Sequence, residues 1–362
     1  MEASEVSASP APSRSTGRRV IQAIGQAWAW LFLLILLVFF SLTGQGFLSA
    51  FNLQSILANM AIVLIMALGQ TFVILSAGID LSTGFVMGMA SVVGALVMSS
   101  LAQSLPVPLA ILLGMAAGLA SGLTAGLVNG LIISRLNVPP FIATLGMFSI
   151  ARGFGFVLSG GLPRPIFIQS LGQLGNGYLL YVHPEAGVSF LSQPAGLEAT
   201  QLRDVTGFLP HPVTLSIILI IACYWILSRS KFGLYTYAVG GNAEASSRAG
   251  IPVKRHITRI YILSGGMAAI AGLVYNVRFT NGAANAGEAL LITSIAAVVI
   301  GGASLFGGEG TIIGTLIGAL IIAVITNGFV ILGISSFWQF VAIGVVIILA
   351  VLVDQAKTRL VE

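Results

Sequence analysis

"NLQSILANMAIVLIMALGQTFVILS" occupies residues 52–76 and carries no charged side chain. At 1.5 Å rise per residue, about 20 apolar residues match the hydrocarbon thickness of a bilayer, so this run reads as a membrane-crossing helix. Its apolar residues are continuous rather than alternating, which favours a helix over a barrel strand. Comparable runs fall at roughly 28–48, 82–102, 107–133, 139–159, 211–229, 258–277, 287–304, 311–332 and 336–353. The expected fold is therefore all-α and polytopic, with about ten transmembrane helices and a lipid bilayer as its solvent. A mean hydropathy of +1.01 agrees with this, and so do the 44 glycines. In lipid, small residues let helix backbones approach closely.

The segments between the runs set the domain organisation. Residues 1–27 read as a disordered basic tail. Residues 28–354 form the membrane domain, and 355–362 a second tail. With an inside N-terminus, 12 of the 16 basic residues fall on the inner side. They are Arg14, Arg18, Arg19, Arg135, Arg229, Lys231, Arg248, Lys254, Arg255, Arg259, Lys357 and Arg359. By the positive-inside rule both termini are cytoplasmic, 230–257 is an inner loop, and 160–210 is an outer segment with room for a short interfacial helix. A net charge of +5 is then a topology signal and points to no nucleic acid.

The chain has none of the usual marks of an enzyme. Its three lysines, Lys231, Lys254 and Lys357, follow no G-x-x-x-x-G-K-[ST] loop, so no nucleotide is expected to bind through one. His183, His211 and His256 lack metal-ligand spacing, the single cysteine is Cys223, and no G-x-S-x-G elbow occurs. Neither a metal nor a cofactor is expected in this chain. Titratable groups near the spans reduce to Asp80, Arg152 and Glu309, a sparse set for an ion-coupled carrier.

Polar and glycine-rich interruptions are the candidate functional positions, each with a plain structural alternative. In "AGIDLSTG" (77–84), Asp80 or Ser82 could cap the next helix, or the break could border a pathway near the inner end of the spans, with Gly78 and Gly84 as hinges. Asn59, Gln70, Asn129 and Asn327 could bond neighbouring helices or line a pathway. In "GGASLFGGEG" (301–310), Gly307, Gly308 and Glu309 read as close packing or as a gate hinge. An echo aligns 77–96 with 301–320 at six of 20 positions, and A-x-x-x-N-G recurs at 125–130 and 323–328. Duplicated halves would explain both. In "GGNAEASSRAGI" (240–251), Asn242 is a natural N-cap and Glu244 and Arg248 stand four apart. Gly250 and Pro252 can end the helix, so about two exposed turns are expected.

"GQTFVILSAGIDLSTGFVMGMAS" (69–91), "GLVNGLIISRLNVPPFIATLGM" (126–147), "SKFGLYTYAVGGNAEASSRAGI" (230–251) and "SIAAVVIGGASLFGGEGTIIGTLIGALI" (294–321) occur in this order. Together they resemble the permease subunit of ribose-type sugar ABC importers, from about residue 28 to 354. The resemblance implies a type II-like importer permease in a bacterial inner membrane. It implies two ATPase subunits that bind ATP and Mg, a second permease copy or paralogue, and a periplasmic sugar-binding protein. Gly240, Gly241, Asn242, Glu244, Ala245, Arg248, Ala249 and Gly250 would then form the coupling element on the ATPase, against the plain reading of a solvated loop. A bulky residue at Gly241, or Glu244→Lys, would uncouple hydrolysis from uptake. Asn59, Gln70, Asp80, Ser82, Asn129 and Asn327 would meet a monosaccharide or polyol. Related permeases carry nucleosides or branched-chain amino acids, and an ion-coupled carrier working alone is the reading from another class.

Overall fold

A computed structural model describes residues 16–194, 201–335 and 337–361. Ten principal helices match the ten expected runs: α1 (Thr16–Thr43), α2 (Ala50–Leu75), α3 (Thr83–Leu101), α4 (Val107–Arg135), α5 (Pro140–Ser159), α7 (His211–Arg229), α10 (Val253–Phe279), α11 (Glu288–Ile300), α12 (Ile312–Ile331) and α13 (Phe337–Val361). Three short helices, α6 (Gln169–Asn176), α8 (Lys231–Gly241) and α9 (Ala243–Arg248), lie between them. Among the described residues, seven helices are long and apolar enough to cross a membrane. The expected tails differ from the structure in part. Residues 16–27 continue α1 and 355–361 continue α13, while 1–15 lie outside the described residues.

Local chemistry sets the boundaries. Ser49 accepts from the Asn52 N–H at the start of α2, and Thr311 accepts from Gly314 at the start of α12. Pro140 opens α5, where its missing N–H costs nothing, and Gly160 closes it in a left-handed turn at φ 67°.

α10 runs through the centre. It lies antiparallel to α4 along a ladder of glycines four residues apart. A Cβ at Gly130 would strike Thr258, one at Gly126 the Tyr261 carbonyl, and one at Gly122 the Gly265 carbonyl. α10 is also antiparallel to α2. Arg278, at its far end, bonds Asn59 and Ala58, whereas Met267 and Ser264 pack on Gly69.

This arrangement repeats with inverted direction. α10 packs on α3 and α4, and α3 packs on α4 and α5; likewise α2 packs on α11 and α12, and α11 on α12 and α13. The repeat pairs α2–α5 with α10–α13, an architecture common among transporters. It places A-x-x-x-N-G at corresponding ends of α4 and α12. The alignment of 77–96 with 301–320 is in a different register, because the structural counterpart of α3 is α11, which ends before Gly301.

Both α3 and α11 begin inside the helix layer, and here the structure corrects the span map. The runs at 258–277 and 287–304 predict a surface loop between them. Instead β5 (Asn281–Gly282) pairs with β1 (Arg164–Pro165), and the chain then descends along α3. Gly282 lies against Ser91, Ala284 against Gly88, and Gly287 against Gly84. α11 starts there, and its 13 residues reach only about 20 Å.

On one face of the helix layer, segment 160–210 supplies the expected short helix, α6, and also a three-stranded sheet. β2 (Tyr178–His183) pairs antiparallel with β3 (Gly187–Phe190) and with β4 (Thr206–Pro210). It adds a small sheet to an otherwise helical chain. Gly207 of β4 accepts from Gln54 at the start of α2, which ties the sheet to that side.

The α4–α10 ladder yields a stability prediction. Gly126→Leu overpacks the seam at a cost of about 1–3 kcal/mol. A lowered thermal midpoint in detergent is expected. Gly146→Leu, where nothing lies within 4 Å of a Cβ, should leave the midpoint nearly unchanged.

Candidate functional site

Four of the six expected pathway residues meet in one buried polar knot. Asp80 lies in the 76–82 connection, and its Oδ1 accepts from the Ser82 N–H at 3.0 Å and the Ser82 hydroxyl at 2.6 Å. Its Oδ2 accepts from the Ser264 hydroxyl of α10 at 2.8 Å. Asn129 of α4 donates to Ser82 Oγ at 3.0 Å. Gln70 of α2 donates to the Asp80 carbonyl and to Thr83 Oγ1. Asp80, Ser82, Gln70, Asn129 and Ser264 are all buried. Ser82 stands at the N-cap position of α3, but no side chain caps the helix there. Asp80 acts one step earlier, closing a turn on Ser82 at the start of α3.

The knot lies deeper than the sequence map placed it. Gln70 is five residues from the end of α2, and Ser264 eleven residues from the start of α10. Asp80 is thus roughly 8–16 Å inside the helix ends. Gln70 Oε1, Asn129 Oδ1 and the Tyr261 hydroxyl are buried there without a partner. Gly78 sits so close to that hydroxyl that a Cβ would press on it.

Asn59 and Asn327, the other two, do not join the knot. They line a cavity of about 360 Å³ between α2, α11, α12 and α13, with Thr293, Thr326 and Gln339 among apolar walls. That volume falls in the range of small-molecule sites. The amides at its rim are fixed in orientation. Asn327 exchanges two hydrogen bonds with Asn52, at 2.9 and 3.0 Å. Arg278 donates to Asn59 Oδ1 at 2.7 Å, so the Asn59 amide NH₂ remains a free donor group. Asn52, Arg278 and Gln339 were missed in the sequence because they lie near helix ends, where polar residues read as ordinary boundary residues; Thr293, in the middle of α11, reads as an ordinary β-branched residue of an apolar run.

The glycine breaks and the expected coupling element converge on the opposite face. Asn242 caps α9 by accepting from the Ala245 N–H at 2.8 Å. The Glu244–Arg248 pair closes at 2.6 Å, with both side chains more than three-quarters exposed. Water screens such a pair to about 0–1 kcal/mol, so it orients the surface more than it stabilises it. Ala249 is the C-cap and Gly250 turns the chain at φ 84°. Just before α9 comes α8, a helix within the segment expected to be a loop. Its penultimate residue, Gly240, is buried against the Leu75 carbonyl and Gly308. The Gly308 N–H donates to that same Leu75 carbonyl at 2.9 Å. The Tyr237 hydroxyl donates to Gly310 O at 2.7 Å. Burial pushes that hydroxyl up from its ordinary pKa, so it remains a donor at neutral pH. Gly307 and Gly308 take φ of 88° and 75°, conformations that favour glycine, and Glu309 is exposed beside them.

Gly241 has open space around it, so a bulky residue there collides with nothing in this chain. The steric constraint belongs to Gly240. Gly84 is likewise a contact glycine, packed backbone to backbone on Gly287. Arg152 of α5 lies over the Phe85 ring at 5.3 Å.

Comparison with known proteins agrees with this architecture. Residues 52–351 match the family model described as the permease component of a branched-chain amino acid transport system. The chain is 36% identical over 342 residues to the ribose import permease of Bacillus subtilis, covering 94% of both chains. It is 36% identical over 322 residues to the fructose import permease of Rhizobium meliloti, covering 89% of this chain and 82% of the relative. It is 32% identical to the xylose transport system permease of Haemophilus influenzae, covering 90% and 94%. No solved structure matches the chain. The fold and these matches define a multi-pass membrane transport protein. The chain belongs to this permease family.

Two substitutions test the geometry. Gly240→Val should lower the thermal midpoint by several degrees, because its side chain meets the Leu75 carbonyl, whereas Gly241→Val should not. Asp80→Ala removes the shared acceptor of three donors and should cost about 1–3 kcal/mol, read as a lower midpoint in detergent.

Proposed function

We propose that this chain is the membrane-spanning subunit of an ATP-driven importer for a monosaccharide or related polyol. Its partners are two ATPase subunits carrying ATP and Mg, a second permease copy or paralogue, and a periplasmic sugar-binding protein. Its place is a bacterial inner membrane, with both termini cytoplasmic. The carrying observation is the nearly end-to-end similarity to permeases named for ribose, fructose and xylose. The cavity lined by Asn59 and Asn327, with a few amides and hydroxyls set in apolar walls, has the size for a small hydroxylated solute.

The mechanism follows from the contacts. The exposed α9 docks on an ATPase subunit, with Glu244 and Arg248 fixing orientation. ATP-driven movement of that subunit displaces α9 and the α8 end that carries Gly240. Gly240 bears on Leu75 and Gly308, so the displacement reaches both inner connections, 76–82 and 301–311. Leu75 is five residues from Asp80. Motion there repacks the start of α3 against α10 and alternates access to the path. The ATPase hydrolyses the nucleotide; this chain converts the resulting movement into a change of helix packing.

The test is uptake by the complete transporter in liposomes, supplied with ATP inside and binding protein outside. Uptake of a labelled monosaccharide is expected only with all components. Glu244→Lys should lower uptake at least tenfold while ATP hydrolysis continues. Uptake by the purified chain on an ion gradient alone would overturn the proposal in favour of an ion-coupled carrier. Uptake of nucleosides or branched-chain amino acids in place of sugars would reassign the substrate.

A further inference from the structure

Two charged side chains stand at the same depth in the helix layer, and neither has an ion-pair partner among the described residues. Arg152 is the thirteenth residue of α5, roughly 18 Å from the helix start and 10 Å from its end. It lies over Phe85, the third residue of α3. Glu288 is the first residue of α11, next to Gly287, which packs on Gly84. Both charges are therefore level with Gly84–Phe85. Both are exposed. Among the described residues, the single ion pair is Glu244–Arg248, on the inner face. Neither Arg152 nor Glu288 makes a side-chain hydrogen bond within the described chain.

The elements that carry them flank one face of α3. Gly155 of α5 touches Ala284 of the re-entrant connection and Met89 of α3, while Phe148 of α5 packs edge-on to Phe85. Arg152 is also accompanied by small and polar neighbours. Ser149 and Gly153 are exposed beside it, and Asn285 is exposed one turn before Glu288. A guanidinium and a carboxylate at this depth cannot face hydrocarbon without a large penalty; such groups face water-filled cavities or other protein. A re-entrant backbone obeys the same restriction.

We propose that Arg152 and Glu288 line the aqueous path through which the sugar crosses, and that they contact its hydroxyl groups. Glu288 offers acceptors and Arg152 a planar set of donors, matching the paired donor–acceptor pattern of vicinal hydroxyls. One charge of each sign leaves the path without a fixed excess, as suits a neutral solute. The proposal rests on the importer reading above and deepens it by naming the residues that meet the cargo.

Single cysteines at Glu288→Cys and Arg152→Cys, each in the complete reconstituted transporter, test it. The native Cys223 is buried, so its background reaction with a polar reagent is small. The probe is a membrane-impermeant methanethiosulfonate. Expected is labelling at both positions, with a rate that changes severalfold between the nucleotide-free and the ATP–vanadate-trapped states. Alongside, Glu288→Gln should lower sugar uptake at least tenfold, with complex assembly and ATP hydrolysis retained. Labelling only by a lipid-soluble maleimide would overturn the proposal by placing the side chains in lipid. A spontaneous disulfide in the Arg152→Cys/Glu288→Cys double variant that links two copies, without aqueous labelling, would also overturn it, in favour of a copy-to-copy ion pair. If the importer reading itself fails, the unsubstituted transporter takes up no sugar while the labelling pattern still stands, so the two failures are distinguishable.

Discussion

A backbone that is interrupted inside a bilayer must have its N–H and C=O groups met by protein, because lipid offers no partner. This constraint shapes the chain twice, before α3 and before α11. Before α11, Ser91 of α3 accepts from the Ala283 N–H through its hydroxyl and from Asn276 through its carbonyl. Before α3, Asp80, Gln70, Asn129 and Ser264 close the polar knot. The breaks meet where Gly84 abuts Gly287, and no side chain fits between them. The glycine ladder of α4 on α10 and the inverted repeat around it hold this junction in place.

The polar residues have two separate duties. The knot is buried, deep and bonded within the chain; it fixes the start of α3. The cavity amides and the exposed mid-depth charges face space that the chain leaves open. Unpartnered polar atoms in the knot, at Gln70, Asn129 and Tyr261, make it a costly arrangement to bury. Such a site is suited to a position that must rearrange, and it lies five residues from the contact between Leu75 and Gly240.

The sequence made the helices legible because hydropathy runs of bilayer length need no tertiary information. Asn242, Glu244 and Arg248 were legible for the same reason, since capping and i,i+4 pairing are local rules. What it hid depended on distant partners. The descent of 283–287 is set by Ser91 and Gly88, nearly two hundred residues away, and its own residues resemble an ordinary loop. α8 was hidden by its glycines, which serve contact rather than helix propensity. Asp80 was recognised as unusual, but its depth follows from Ser264 and Asn129. Glu288 was overlooked because an acid at a helix start reads as a favourable charge on the helix dipole.

The most direct test of this architecture is the depth of the connection before α11. A cysteine pair at Gly155→Cys and Ala284→Cys, with Cys223→Ser, reads that depth, because a Cβ at Gly155 would stand 3.0 Å from the Cβ of Ala284. The architecture predicts a disulfide within one chain on mild oxidation, seen as a mobility shift that reductant reverses. A pair that stays reduced, with Ala284→Cys cross-linking instead to Gly161→Cys beyond the end of α5, would place 280–287 on the surface and contradict the account.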